Sequence, residues 1–196
     1  QGDEKEDAVN VARSFGYNIK SADINYSGFQ WDASEDGKTL FQPLSALKGL
    51  GDAAINQLIS ARPIGSIEEL LFDEDKKSNK RVIDAVIRAG AANSLIDDRF
   101  TGDKHLWLVA AENKPKNAKH LPELIEEHRH AGWFTNDEKI ENLVSLTGFY
   151  PIDLVMPASV LITLRAHDIA PISEYRNDLD PVWFITREIE VKKTKN

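Results

Sequence analysis

There is no cysteine among the 196 residues, which excludes a disulfide framework and any thiolate-held metal or redox centre. No apolar run approaches the roughly 18 residues that a membrane-crossing helix needs, so no membrane partner is expected. The opening stretch QGDEKEDAVNVARSFG is acidic where a secretory leader would be basic, so no signal peptide is expected either. These absences read as a cytoplasmic, water-soluble protein. Positive charge is short as well: 24 Lys and Arg face 32 Asp and Glu, for a net charge of −8. Proteins that live by neutralising phosphates are usually basic, because each displaced counterion needs a cation. Any nucleic-acid contact here must therefore be local and need few charges. The remainder, 41% hydrophobic and 29% charged, suits one large domain or two small ones.

Apolar periodicity and turn residues organise the chain as mostly helical. Residues 5–15 read as a short helix with Val9, Val11, Ala12 and Phe15 on its apolar side, stopped at Gly16. An extended, turn-rich stretch follows, and FQWDASEDGKTLFQ reads as a β-hairpin with Asp36-Gly37 as a two-residue turn. LSALKGLGDAAINQLISAR, residues 44–62, reads as two helices joined by a tight turn. Ser78 is the expected cap of a helix running through Ala89, with Val82, Ile83, Val86 and Ile87 as its stripe and Gly90 as its stop. A further helix is expected over about 121–131, ending at Gly132. The next starts with a capping box between Thr135 and Glu138 and closes at Gly148. PASVLITLRAH reads as one more helix. PVWFITREIEVKKTKN alternates like a strand, with no return strand to pair it.

The doubled glycine in LKGLGDAAINQLI carries the chemistry. Gly49 is free to take the positive φ that reverses a chain. Gly51 stands at the start of a helix, where a missing side chain lets an anion reach the unpaired amides and the positive end of the dipole. Leu50 between them is expected to point inward, and Ile55, Leu58 and Ile59 form the buried face behind. This is the helix-hairpin-helix pattern, a sequence-independent grip on the DNA backbone through main-chain amides. A grip of this kind works with few cations, so it fits an acidic chain. The bland alternative is an ordinary helical hairpin that uses its glycines for geometry alone. The expected DNA-binding residues are Lys48, Gly49, Leu50, Gly51, Asp52 and Ala53, helped by Lys80 and Arg81 from the basic run KKSNKR.

The flanks of this motif carry a family resemblance. In order and spacing, Phe15-Gly16, Asp23-Ile24-Asn25, Ser27, Leu47-Lys48-Gly49-Leu50-Gly51, Ala61-Arg62, Asn79-Lys80-Arg81 and Ala89-Gly90-Ala91 resemble one stretch of the bacterial C-family DNA polymerases, the DNA polymerase III alpha type. EKIENLVSLTGFYPID resembles a later element of the same family, and WFITREIEVKKTKN the opening of its OB-fold domain. The chain departs from the family at Ala22, where proline is usual, and at Gln42-Pro43, where one glycine is common. It departs again at Tyr150-Pro151, which lacks the family's histidine, and throughout 97–132. Such departures mark a divergent bacterial or phage-type member.

The resemblance implies the fold class and the partition. The fold is mainly α: a helix-hairpin-helix domain, a small β-hairpin and a C-terminal strand from a truncated OB-like domain. Residues 1–43 would be an end-of-fingers segment, 44–96 the helix-hairpin-helix module, 97–175 a helical connector with clamp-binding character, and 176–196 the start of the OB-like domain. The implied function is a non-catalytic DNA-positioning fragment of a replicative polymerase subunit, with duplex or primer-template DNA as partner. The family's catalytic aspartates, and the Mg they hold, belong to a palm upstream, so no catalytic residue and no cofactor is expected within these residues. A sliding clamp is a second, weaker candidate partner, through Leu106, Trp107 and Leu108 in DKHLWLVA, although these three read more readily as core. An independent scaffold that uses the hairpin to pack on proteins is the alternative function.

Other clusters read as surface. His120, His128 and His130 lie among Glu123, Glu126 and Glu127, but positions 128 and 130 point to different sides of a helix. No metal site is expected there. Asp97-Asp98 and Asp178-Asp180 have no nucleophile or perturbing environment beside them and read as loop carboxylates. EIEVKKTKN could touch single-stranded template only within a complete OB fold.

Overall fold

The structure, a computed structural model, describes residues 9, 11–12, 15–148, 150–151, 154–171 and 181–184. Val9, Val11 and Ala12 are helical, and the rest of the helix expected over 5–15 lies largely outside the described residues. The architecture is mainly α with a small β element.

Strands β1 (Asn18–Lys20), β2 (Asp32–Ala33) and β3 (Thr39–Phe41) form a sheet in the order β1-β3-β2. The antiparallel β2–β3 pair, with Ala33 opposite Leu40, is the expected hairpin, but its turn is not the two-residue one. The Ser34 amide donates to the Thr39 carbonyl, leaving Glu35 to Lys38 in the loop. Asp36 explains the longer turn: its carboxylate accepts from the Ser34 hydroxyl and the Lys38 amide, building the loop around itself. β1 belongs to the stretch read as extended and turn-rich, and it lies parallel to β3, a pairing not expected, with Asn18 opposite Thr39. It covers an edge of β3 that would otherwise have been bare.

Behind the sheet, the segment 22–27 is tied to the helical layer by side chains that imitate backbone. Asn25 brackets Ile64, donating from Nδ2 to its carbonyl at 2.9 Å and accepting from its amide at 2.9 Å. Arg62 donates from Nε to the Ile24 carbonyl at 2.7 Å and from Nη2 to the Ser27 carbonyl. The Ile24 amide reaches the Ala91 carbonyl at 2.9 Å. Several residues that carry the family resemblance thus meet in one place, and their work there is architectural.

The helices are α1 (Asp52–Ser60), α2 (Ile67–Phe72), α3 (Lys80–Arg88), α4 (Asp103–Trp107), α5 (Leu121–Glu127), α6 (Asn136–Thr147) and α7 (Ala158–Ala166). α4 runs on as a π-helical turn, Leu108–Glu112. α3 is the central helix and buries Val82, Ile83, Ala85, Val86 and Ile87. The core extends from Ile24 and Leu44 through Ile55, Leu58 and Leu70 to Leu106, Val109 and Leu124. Each fully buried Leu or Ile side chain contributes about 1.5–3 kcal/mol relative to exposure.

Several expected boundaries shift. The first of the two helices read in 44–62 is only a 3-10 turn, Leu44–Ala46, because the chain must reverse at Gly49 before another turn can form. α3 is capped by Asn79, whose side chain accepts from the Val82 amide at 3.0 Å, and not by Ser78, which is buried and gives its own amide to the Leu70 carbonyl. α5 stops at Glu127, short of 131. There the Arg129 carbonyl is taken by the Thr101 hydroxyl and His128 Nε2 by the Asn113 amide group, which draw the chain off the helical path. α6 has the capping box of Thr135 and Glu138, with Gly148 left-handed behind it, and α7 falls where expected.

The final strand is not alone. β5 (Val182–Trp183) pairs in parallel with β4 (Ala170–Pro171). The remainder of the expected OB-like start, 176–180 with Asp178 and Asp180 and 185–196, lies outside the described residues. None of the helices among the described residues is long and apolar enough to cross a membrane.

One polar group in the interior makes stability depend on pH. His105 is 0% exposed. Its Nδ1 accepts from the Thr101 amide at 3.0 Å, and its Nε2 lies 2.8 Å from the Ile125 carbonyl and donates to it. Burial holds its pKa below the ordinary histidine value, with His128 and Arg129 pushing the same way, against the Ile125 hydrogen bond and Glu126. The folded protein therefore binds this proton less readily than the unfolded chain. The stability carried by neutral His105 is complete above about pH 6.5 and is lost as pH falls towards the depressed folded value. Thermal melts stepped from about pH 7.5 to about pH 5 should show a falling midpoint, and His105→Gln should remove that part of the slope.

Candidate nucleic-acid interface

The site is built on the turn between Leu47 and α1. Leu47 and Leu50 are both buried, and Leu50 hydrogen-bonds back to the Leu47 carbonyl, so the turn is pinned to the core at both ends. Gly49 between them has φ +102°, which a side chain could hardly take. It also has little room: a Cβ there would lie 3.2 Å from Arg81 Nε. Gly51 differs. It has ordinary extended geometry, φ −84° and ψ 164°, is the N-cap of α1, and a Cβ there would meet nothing within 4 Å. Its missing side chain thus leaves open space in front of the helix start, whereas Gly49's lets the turn form.

The start of α1 is open. Gly51 provides no side-chain cap. The Gly51 carbonyl accepts from the amides of Ala54 and Ile55, but the amides of Gly51, Asp52 and Ala53 make no hydrogen bond among the described residues. Unpaired helix-start amides carry partial positive charge that an anion can satisfy. Gly51, Asp52 and Ala53 are all exposed. The only acidic group in the first turn is Asp52 itself, whose carboxylate competes with any incoming anion for the same field.

Two cations of the expected set are near the turn. Arg81, exposed on the first turn of α3, lies against Gly49. Lys48 is part of the turn, and its ammonium would be 3.7 Å from a Cβ on Gly148. Its amide donates to the Leu146 carbonyl at 2.7 Å. That carbonyl lies in the last turn of α6, where the helix has no partner for it, so two orphan groups satisfy each other and α6 braces the turn. Nothing in the sequence around Lys48 signals this brace, since Leu146 is 98 residues further along the chain. Lys80 stands farther out and donates to the Glu112 carbonyl at 3.2 Å.

The three residues read as a clamp-type motif sit elsewhere. Leu106 is 0% exposed in the core. Trp107 is partly buried, and its Nε1 donates to Asp84 at 2.8 Å. Leu108 opens the π-helical turn. The stretch is helical and packed, and presenting it in extended form to another protein would mean unfolding α4. The histidines are not brought together: His128 meets Asn113, and His120 lies 3.7 Å from Glu123. Among the described residues no group of three or more His, Asp or Glu could hold a metal ion.

Comparison with known proteins agrees with this geometry. Residues 16–101 match a family described as the helix-hairpin-helix motif. The chain is 33% identical over 94 residues, 47% of its length, to the DNA polymerase III subunit alpha of Thermotoga maritima. It is 32% identical over 92 residues to that of Pseudomonas aeruginosa, and 29% identical over 153 residues, 70% of its length, to that of Neisseria meningitidis. The matched stretches are 11%, 8% and 13% of these relatives, so the chain corresponds to a small part of each.

Proposed function

We infer, from a chain that carries the helix-hairpin-helix segment of a DNA polymerase III alpha-like protein, that this protein holds duplex DNA by its backbone. It serves a replicative polymerase of the cytoplasm by positioning primer-template DNA without taking part in catalysis. The observation that carries this reading is the open start of α1: amides at the exposed Gly51, Asp52 and Ala53 with no hydrogen-bond partner among the described residues, and no side chain at Gly51 to shield them. A phosphate seated there would accept from those amides, with Arg81 beside the turn supplying charge. Neither a metal nor another cofactor is needed for such a grip. An ordinary packing hairpin would have no use for empty space at Gly51.

Titration of a labelled primer-template duplex with the chain, followed by fluorescence anisotropy at low and at moderate salt, tests the reading. Weak binding that fades with salt is expected, and no binding at low salt would refute it. Asp52→Asn supplies a second arm. Removing a competing carboxylate from the helix start is worth about 0.3–1 kcal/mol to a bound anion, a gain of about twofold to fivefold in affinity. An Asp52→Asn variant that binds no more tightly would place the phosphate somewhere other than on these amides.

A further inference from the structure

Beyond the hairpin, the loop that follows α4 and its π-helical turn carries three lysines in seven residues, NKPKNAK, within a chain of net charge −8. We infer that Lys114, Lys116 and Lys119 extend the DNA-binding surface, contacting phosphates farther along the same duplex that the hairpin holds. This proposal rests on the hairpin reading for its partner and adds a second surface to it.

Arg81 lies against Gly49 of the turn. Lys80, its neighbour on α3, reaches across to the Glu112 carbonyl at 3.2 Å. Lys114 is two residues beyond that carbonyl, so cationic residues lead from the phosphate-facing turn into the loop. Lys76, Arg88, Arg99, Lys104, Arg129 and Lys139 all form ion pairs. Arg81, Lys80, Lys114, Lys116 and Lys119 form none among the described residues and all five are exposed, a state they share with Lys20, Lys38, Lys48 and Lys77. What sets the five apart is that they lie in sequence on and beyond the turn-facing end of α3. An acidic protein that leaves these five without counter-charges keeps them available to an outside anion.

The loop also has a defined form. Pro115 is buried between exposed Lys114 and Lys116, so the backbone is anchored while the two ammonium groups stay in water. Asn113 donates to the Leu108 carbonyl at 3.1 Å and meets His128. Asn117 accepts from the amides of Lys119 and His120. The acidic groups nearby are Glu112 at the root of the loop and Glu123 on α5, and Glu123 is already beside His120. A polyanion with regularly spaced charges fits such a ridge, and a duplex already seated on the turn would bring its next phosphates to it. Helix-hairpin-helix similarity ends at residue 101, so this ridge lies outside the matched motif.

The test is the salt dependence of duplex binding by the chain, its Lys114→Gln/Lys116→Gln/Lys119→Gln variant, the corresponding triple arginine variant and Gly51→Glu. Circular dichroism and melting confirm that each folds, as exposed loop positions should. Each lost phosphate contact lowers the slope of log affinity against log salt by about 0.9. The glutamine variant should therefore lose about 1 to 3 units of slope, with the arginine variant close to the parent. An unchanged slope in the glutamine variant, with the parent binding normally, overturns the ridge and leaves the hairpin reading intact. A parent insensitive to Gly51→Glu but dependent on the lysines keeps the lysines as a DNA contact, overturns the hairpin as the grip, and with it overturns the proposal that the two share one duplex. Failure of the parent to bind duplex at all overturns both.

Discussion

Gly51→Glu is expected to lower duplex affinity by at least about tenfold while leaving the fold intact, a loss of about 1.4 kcal/mol or more. The size follows from the site. A glutamate there adds a full negative charge beside the amides that a phosphate would otherwise use, and charge-assisted hydrogen bonds of that type are among the stronger ones in proteins. The fold should tolerate it for two reasons. The backbone of Gly51 is extended, with φ −84°, and a Cβ meets nothing within 4 Å. A negative charge at a helix start also interacts favourably with the helix dipole. Stability and binding should thus move in different directions, which melting curves and anisotropy read separately. If Gly51→Glu binds like the parent, the open amides are not the contact.

Gly102→Ala has the opposite signature, with a large effect on stability at a position remote from the turn. A single methyl at Gly102 would lie 2.5 Å from the Gly132 carbonyl oxygen and 2.6 Å from its carbon. Both are backbone atoms and cannot rotate away. The Gly132 carbonyl is also the acceptor of the His105 amide at 3.0 Å, so moving it disturbs the start of α4 and the buried imidazole together. Neighbouring Asp103, 4% exposed, accepts from the Phe134 amide at 2.7 Å, which leaves the segment little freedom to yield. Overpacking of this severity costs about 3 kcal/mol, or a melting point lower by about 6–12 °C in a chain of this size. Gly28→Ala is the control, since its Cβ would sit an ordinary 3.6 Å from Asp32. Equal melting points for the two variants would show that the 102–132 contact has slack.

Local chemistry made much of this legible in the sequence. The capping box of Thr135 and Glu138, the stripe on α3, the inward Leu50 and the open Gly51 all depend on residues within one or two turns of each other, and all four are found. Distant partners set what was not legible. β1 depends on β3, some twenty residues on, for its hydrogen bonds. The cap of α3 falls on Asn79 because Ser78 is drawn into the interior by Leu70. His105 looks like any surface histidine of a charged stretch until Thr101 and Ile125 enclose it. In the candidate site, the turn, its amides and Arg81 as a helper could be read from LKGLG and KKSNKR, whereas the brace from Leu146 exists only in three dimensions.

The bond between Lys48 and Leu146 bears on what should count as a unit in this protein. Similarity to the helix-hairpin-helix motif covers residues 16–101, which would be a natural piece to excise. Cut there, the piece would keep every residue of the recognised pattern and lose the helix end on which its turn leans. It would also lose Asn142, which accepts from Arg88 at 2.8 Å and holds that helix to α3. What is inherited as a motif and what stands up as a body have different edges here, and the wider edge is the one that gives the glycine turn its shape.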